Sequence, residues 1–430
     1  HTPRRALLCQ LSAGKSSPMA VGGQGAIGAG SFLPGGPEAA GPAGCGDIAG
    51  EGEGLDIIVS CVLGLSGELL SRVPCRLGAR VGDLRRALAP GLAPPGSPFR
   101  LVAGGRILQD AETLLEAGVQ DGSDVLVVRV QCGVVLTACG DRRARLWDAD
   151  SGECLRTFTG HAMSLDSAAF SPDGQLCVTA SRDCTARLWD CDSGRCAATL
   201  AGHVDEVRHA SFSPDGARVV TASGPTDRTA KVWDAQSCVV LCDLYGHGDE
   251  IMSAHFSPDG RSIVTASYDL TAKIWGGLGG SRGLCLRTLE GHEAGLLYAE
   301  FSPDGEAVAT ASYDGTAQLF GSASGTSLAT LRGHFGTVFC ATFSPDGRRV
   351  ATASSDRTAR IWDTASGACL HRLCGHADLV SCARFSPDGE RVVTASHDGA
   401  AKVWCGGSGD CLRTLGGHGG CVTSAAFAPA

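Results

Sequence analysis

The chain has 430 residues, a formal net charge of −9 and a sequence pI near 5.7. That length allows more than one domain, the acid excess argues against a nucleic-acid partner, and the lack of an apolar run of about 18 residues argues against a membrane-spanning helix. Among 21 cysteines, Cys154, Cys196, Cys285, Cys369 and Cys411 recur at one repeated position and no Cys-x-x-Cys pair occurs, so reduced thiols of a cytoplasmic or nuclear protein are expected, with no metal site and no disulfide frame.

Residues 1–54 are rich in Gly, Ala and Pro without apolar periodicity, and a disordered segment is expected there. The chain opens at His1 rather than Met, which leaves open that it is a fragment. Arg4-Arg5-Ala-Leu-Leu-Cys-Gln-Leu11 starts basic, but its apolar stretch is short for a secretory signal. Gly14-Lys15-Ser16 is not a phosphate loop, because Cys9 stands where the first glycine belongs and no strand precedes it.

Residues 55–131 read as a compact mixed domain. Asp56 to Leu63 has strand character, Glu68 to Val73 is its hairpin mate, Val81 to Ala89 is a short helix stopped by Pro90, and strands follow at Phe99 to Val102 and Val125 to Val130. The run from Arg100 to Asp110, with Thr113-Leu114 and the last strand, resembles ubiquitin without a gap, and the first half resembles it more loosely. The resemblance implies an α+β β-grasp domain whose apolar recognition patch falls on Val102, Leu126 and Val128. Val130 is followed by Gln131-Cys132 and no Gly-Gly tail, so the domain is expected to dock rather than to be conjugated. The other reading is that the three side chains pack on a neighbouring domain.

From residue 132 onward one unit is written repeatedly. Gly-His pairs end at His161, His203, His247, His292, His334, His376 and His418, at intervals of 42, 44, 45, 42, 42 and 42 residues, and all six tryptophans fall at one register. Runs such as Arg218-Val-Val-Thr-Ala-Ser223 alternate with the period of a half-buried strand, and Ser-Pro-Asp-Gly is a hairpin turn in which Pro presets one angle and Gly supplies a positive one. One unit makes a small antiparallel sheet that cannot bury its own faces, so the copies must stack.

The period, the Gly-His pairs and the Trp-Asp marks at Trp147, Trp189, Trp233 and Trp362 resemble the WD40 family. The resemblance implies an all-β propeller over residues 132–430, with a buried His, Thr, Asp and Trp chain in each blade. Matching sets are His161, Thr179, Asp183 and Trp189; His203, Thr221, Asp227 and Trp233; His247, Thr265, Asp269 and Trp275; His334, Thr352, Asp356 and Trp362; and His376, Thr394, Asp398 and Trp404. The set His292, Thr310 and Asp314 has Phe320 in place of Trp. The first unit starts in its middle, with Thr137, Asp141 and Trp147, and the last residues supply the missing His418 and first strand. Seven blades closed by the C-terminal strand are therefore expected; the alternative is a chain cut within a repeat.

The histidines sit beside acids, yet the same set is copied in every blade while an active site occurs once, so no catalysis, cofactor or small-molecule substrate is expected. Function should lie where the copies differ. The family likeness places the residue before the repeated Asp, and those beside the apolar residue after Gly-His, around one channel mouth. There Met252, Tyr268, Leu297, Tyr313, Phe335 and Phe339 should form one apolar arc, of the residue types enriched at protein interfaces. The expectation is a non-catalytic adaptor: the propeller holds a client protein or peptide, and the ubiquitin-like domain docks to ubiquitin–proteasome machinery. The alternatives are an assembly factor for ribosome biogenesis of the Notchless kind, or one for axonemal dynein.

Overall fold

A computed structural model describes residues 133–429 continuously and, before them, 56–63, 69–76, 79–88, 99–103, 106–107, 113–120 and 123–129. The segment expected to be disordered (1–54) and the Gly14-Lys15-Ser16 turn lie outside the described residues. In the N-terminal region β1 (Asp56–Leu63), β2 (Leu69–Arg76), α1 (Val81–Leu88), β3 (Phe99–Ala103), β4 (Arg106–Ile107) and β5 (Asp124–Arg129) follow in order. The sheet order is β2-β1-β5-β3-β4, with β1 and β5 parallel and the other pairs antiparallel. Asp83 starts α1 by accepting the Arg80 N–H at 3.1 Å, and Leu84 and Leu88, one turn apart, are buried with Val59, Val73, Leu114 and Val125.

Residues 134–429 form seven four-stranded antiparallel sheets. We number the blades by their second strand, so that blade 1 is Val134–Cys139, Arg143–Asp148 and Cys154–Thr159 with Val422–Phe427 as its inner strand. The ring is thus closed by a strand from the far end of the chain, with Ala425 opposite Thr137 and Phe427 opposite Val135. The seven-bladed closure expected from the balance of repeat parts is the architecture found.

Local chemistry explains each hairpin. In blade 2, Ser171 Oγ donates to Asp173 Oδ1 (2.6 Å), Asp173 accepts the Gln175 N–H (3.0 Å), and Gly174 sits at φ 71°, where a side chain would strain the turn. Second strands such as Arg218–Ser223 are buried over their last five residues because both faces meet a neighbouring blade. Trp233, Trp275, Trp362 and Trp404 are among the largest fully buried side chains. Each such ring removes about 200 Å² from water, on the order of 5 kcal/mol.

A β-bulge recurs in every inner strand. The register slips between Val207 and His209 in blade 3, and at the same step in the other six, so one residue per blade opposes nothing across the ladder. Bulges re-aim a side chain, and here seven of them are re-aimed together.

Candidate functional site

The hydrogen-bond sets form complete in blades 2, 3, 4, 6 and 7. In blade 2 Trp189 Nε1 donates to Thr179 Oγ1 (2.8 Å), Thr179 meets His161 Nε2 (2.8 Å), and His161 Nδ1 donates to Asp183 Oδ2 (2.8 Å). A carboxylate can only accept, which fixes the proton on Nδ1 and leaves Nε2 to accept the Thr hydroxyl. The same links join His203, Thr221, Asp227 and Trp233; His247, Thr265, Asp269 and Trp275; His334, Thr352, Asp356 and Trp362; and His376, Thr394, Asp398 and Trp404. Burial pushes the imidazoles of His161, His292, His334 and His376 below their ordinary range. Burial also works to raise Asp183, but hydrogen bonds from Thr185, the Ala162 N–H and His161 outweigh it and hold the carboxyl at about 2.

Two blades depart. In blade 5 Phe320 offers no N–H, and Thr310 keeps only the His292 link (2.8 Å) and a bond to the Gln318 carbonyl (3.2 Å). In blade 1 the expected set is incomplete: Trp147 Nε1 reaches Thr137 and Thr137 reaches His418, both at 2.9 Å, but His418 Nδ1 turns to the Gly399 carbonyl (3.2 Å). Asp141 is taken instead by Arg145, Nη2 to Oδ2 2.6 Å, so the expected His418–Asp141 bond is corrected to an arginine ion pair.

The seven bulged residues are, from blade 1 round the ring, Thr423, Asp166, Arg208, Met252, Leu297, Phe339 and Ser381, and all seven line a single cavity of about 190 Å³. At these bulge positions blades 4 to 6 carry apolar side chains and blades 7, 1, 2 and 3 polar ones. On the polar side Arg208 is shared by Glu206 (2.9 Å), Asp166 (3.1 Å) and Glu250 (3.2 Å), and Asp166 also holds Arg182 (3.0 Å). Burial pushes the Glu250 carboxyl up, against the pull of Arg208.

One layer deeper the inner strands carry ionisable groups. Tyr298 Oη donates to Glu300 Oε2 (2.7 Å), accepts from Arg384 Nη2 (3.0 Å) and lies 3.1 Å from His255 Nε2. The rings of His209 and His255 are 4.4 Å apart and those of His255 and Tyr298 4.8 Å.

Of the residues expected to form one apolar arc, Met252, Leu297 and Phe339 line the cavity, although Leu297 is only 7% exposed. Tyr268 and Tyr313 do not line it; their rings pair at 5.0 Å. Phe335 is 88% exposed and also stands apart from the lining. The side chains of Val102, Leu126 and Val128 lie outside the described residues. His209, His255, Tyr298, Glu300 and Arg384 lie beyond the residue after each apolar anchor and were not among the expected site residues. The available signal was their charge or polarity at strand positions otherwise held by Ala, Ser, Thr or Cys.

Fold and cavity together define a propeller in which seven equivalent bulge residues, different from blade to blade, line one cavity. Residues 152–190, 194–234, 238–276, 283–320, 325–363 and 367–405, more than half of the chain, match the family described as WD domain, G-beta repeat, and the chain belongs to it. That family is in general a non-enzymatic scaffold that binds other proteins. Over 63 residues the chain is 43% identical to WD repeat-containing protein 37 of Xenopus tropicalis and 41% identical to the Homo sapiens protein of that name, 14% of this chain and 13% of each relative. It is 46% identical over 41 residues to Nuclear distribution protein PAC1 of Mycosarcoma maydis, 10% of this chain and 9% of that one. The chain thus matches only a small part of the length of these curated relatives.

Proposed function

We propose that this protein is a non-catalytic adaptor whose propeller mouth holds a segment of a client protein against Met252, Leu297 and Phe339, and whose residues 55–131 are a ubiquitin-like module that docks to ubiquitin–proteasome machinery. The observation that carries the first half is the division of the bulge ring: seven equivalent positions, with the apolar ones on three consecutive blades. Tyr268, Tyr313 and the exposed Phe335 extend apolar surface on the same three blades, and aromatic residues and Met are what interface centres favour. The second half is supported by the mixed sheet order β2-β1-β5-β3-β4 with one helix, which is what the ubiquitin resemblance implies.

The test is affinity capture from cell extract with prey identified by mass spectrometry, using the intact chain, a Tyr313→Ala/Phe339→Ala variant and a Val102→Asp variant. Loss of one client set with the mouth variant and of proteasome or ubiquitin-receptor subunits with Val102→Asp is expected. Prey unchanged by the mouth variant would sink the client half; ubiquitin machinery retained by Val102→Asp, or never captured, would sink the docking half.

A further inference from the structure

At the start of the second strand, blades 3, 6 and 7 carry Arg218, Arg349 and Arg391. Each arginine reaches across to the next blade and lies over the phenylalanine that ends its inner strand. The guanidinium carbon is 5.1 Å from the ring centre of Phe256, 5.1 Å from that of Phe385 and 5.4 Å from that of Phe427. Arg218 Nη2 donates to the Gly260 carbonyl (2.8 Å) and Arg349 Nη2 to the Gly389 carbonyl (2.7 Å), in each case the glycine of the next blade's Ser-Pro-Asp-Gly turn. Arg391 Nη1 donates to Asp150 Oδ1 (3.1 Å). In these three blades the groove between neighbours is therefore a seat for a guanidinium, with a ring on one side and oxygens on the other.

Blade 4 supplies no such side chain. Ser262 stands at the position of Arg218, and Gly276 stands where Asp234 and Asp363 face Arg218 and Arg349. A cavity of about 820 Å³ lies there, with Asp259, Ser262, Phe301, Asp304 and Gly305 in its lining. Phe301 and Gly305 are the blade 5 counterparts of Phe256 and Gly260. Blades 2 and 5 also lack the arginine, but Leu176 and Ala307 are apolar at that position, and Ala307 packs against the hydrophobic core.

The groups around this cleft favour a cation. Asp259 Oδ1 accepts from the Ser257 hydroxyl (2.6 Å) and the Arg261 N–H (3.0 Å), and Asp304 Oδ1 from the Ser302 hydroxyl (2.6 Å) and the Glu306 N–H (3.0 Å). The two serine hydroxyls hold both carboxyls below their ordinary value, and among the described residues neither carboxylate is in an ion pair. Arg287, the cation in the lining, is tied through Nε to the Ala323 carbonyl (3.0 Å). Arg261 and Glu306, each following its turn just outside the lining, offset one another in charge. The Gly305 carbonyl accepts Ser322 Oγ (2.7 Å) and keeps a second lone pair.

We propose that the cleft between blades 4 and 5 docks an arginine side chain of a partner protein, its guanidinium at Phe301 between the Gly305 carbonyl and the Asp259 carboxylate. Arg218 fills the same place one blade earlier, between Gly260 and Asp215 (2.8 and 3.8 Å). This cleft is separate from the bulge ring, so it stands or falls apart from the client reading.

Ligand-observed NMR titration of the full chain with acetyl-Gly-Arg-Gly-amide and its lysine and citrulline counterparts tests it. The arginine peptide should bind about tenfold more tightly than the citrulline peptide, which keeps the shape and loses the charge. It should also bind more tightly than the lysine peptide, whose ammonium cannot lie flat on a ring. Ser262→Arg refills the groove as in blades 3, 6 and 7 and should abolish binding while the chain stays folded. An arginine peptide that binds no more tightly than either counterpart, or not at all, overturns the proposal on the unmodified protein alone. Binding that survives in folded Ser262→Arg overturns it as well.

Discussion

At the scale of single residues, the propeller is fastened by proton order. Indole donates to hydroxyl, hydroxyl to imidazole and imidazole to carboxylate, so each buried polar atom has a partner of the right sense. Thr352 closes such a chain, while Thr310 beside Phe320 has no indole to satisfy. Thr352→Val should therefore cost about 1–3 kcal/mol by stranding a buried N–H, and Thr310→Val measurably less; urea melts of the two variants check this. Acid acts on the same chains. Folded imidazoles held below their ordinary value resist protonation, so the unfolded chain takes up more protons below about pH 6.5 and stability falls from there downward. Asp183 and Asp356, each held at about 2, add a further loss as pH falls below about 4. The melting temperature should drop steadily between pH 7 and pH 4, and a flat profile would contradict the assignment. These sets were legible in the sequence because the 18-residue step from His to Thr recurs in six blades. The Asp141 exchange was not, since Arg187 and Arg360 hold the register of Arg145 in blades 2 and 6 while Asp183 and Asp356 keep their histidines.

At the scale of elements, the inner strands do two jobs with one irregularity. Alternation places an apolar anchor between blades, and the bulge after it turns the next side chain to the mouth. The anchor and the turn were readable from local pattern. The deeper layer was not, because its residues come together only when strands from different blades meet round one axis. Blade 1 is the element whose integrity depends on a distant strand, and it also lacks the His–Asp link. Removing residues 418–430 takes away the strand opposite Val134–Cys139 and exposes an unpaired edge. The truncated chain should melt at a lower temperature and self-associate in light scattering; an unchanged melt with a monomer would refute the closure as a source of stability.

At the scale of the whole molecule, the bulge ring is where the blades differ together. The blade bodies are near copies, while the bulge ring is apolar over blades 4 to 6 and polar elsewhere. A scaffold built this way can change what it grips without changing how it folds, which is why the family was readable and the client is not. Ring closure also sets an order of events. Blades 2 to 7 are made of contiguous chain, whereas blade 1 joins Thr137 to His418 across 281 residues. Pulse-labelled hydrogen exchange during refolding should protect the amides of Val134–Cys139 last.

The same seam has a consequence in the cell. A ribosome adds roughly 5–20 residues each second, so strand Val134–Cys139 leaves the exit tunnel roughly 15–60 s before its partner at Val422–Phe427 exists. For that time every nascent copy carries an open, apolar sheet edge, and neighbouring copies on one polysome carry the same edge. Translation speed and chaperone supply, more than any single contact in the finished ring, then govern how much of the protein escapes pairing with its own siblings.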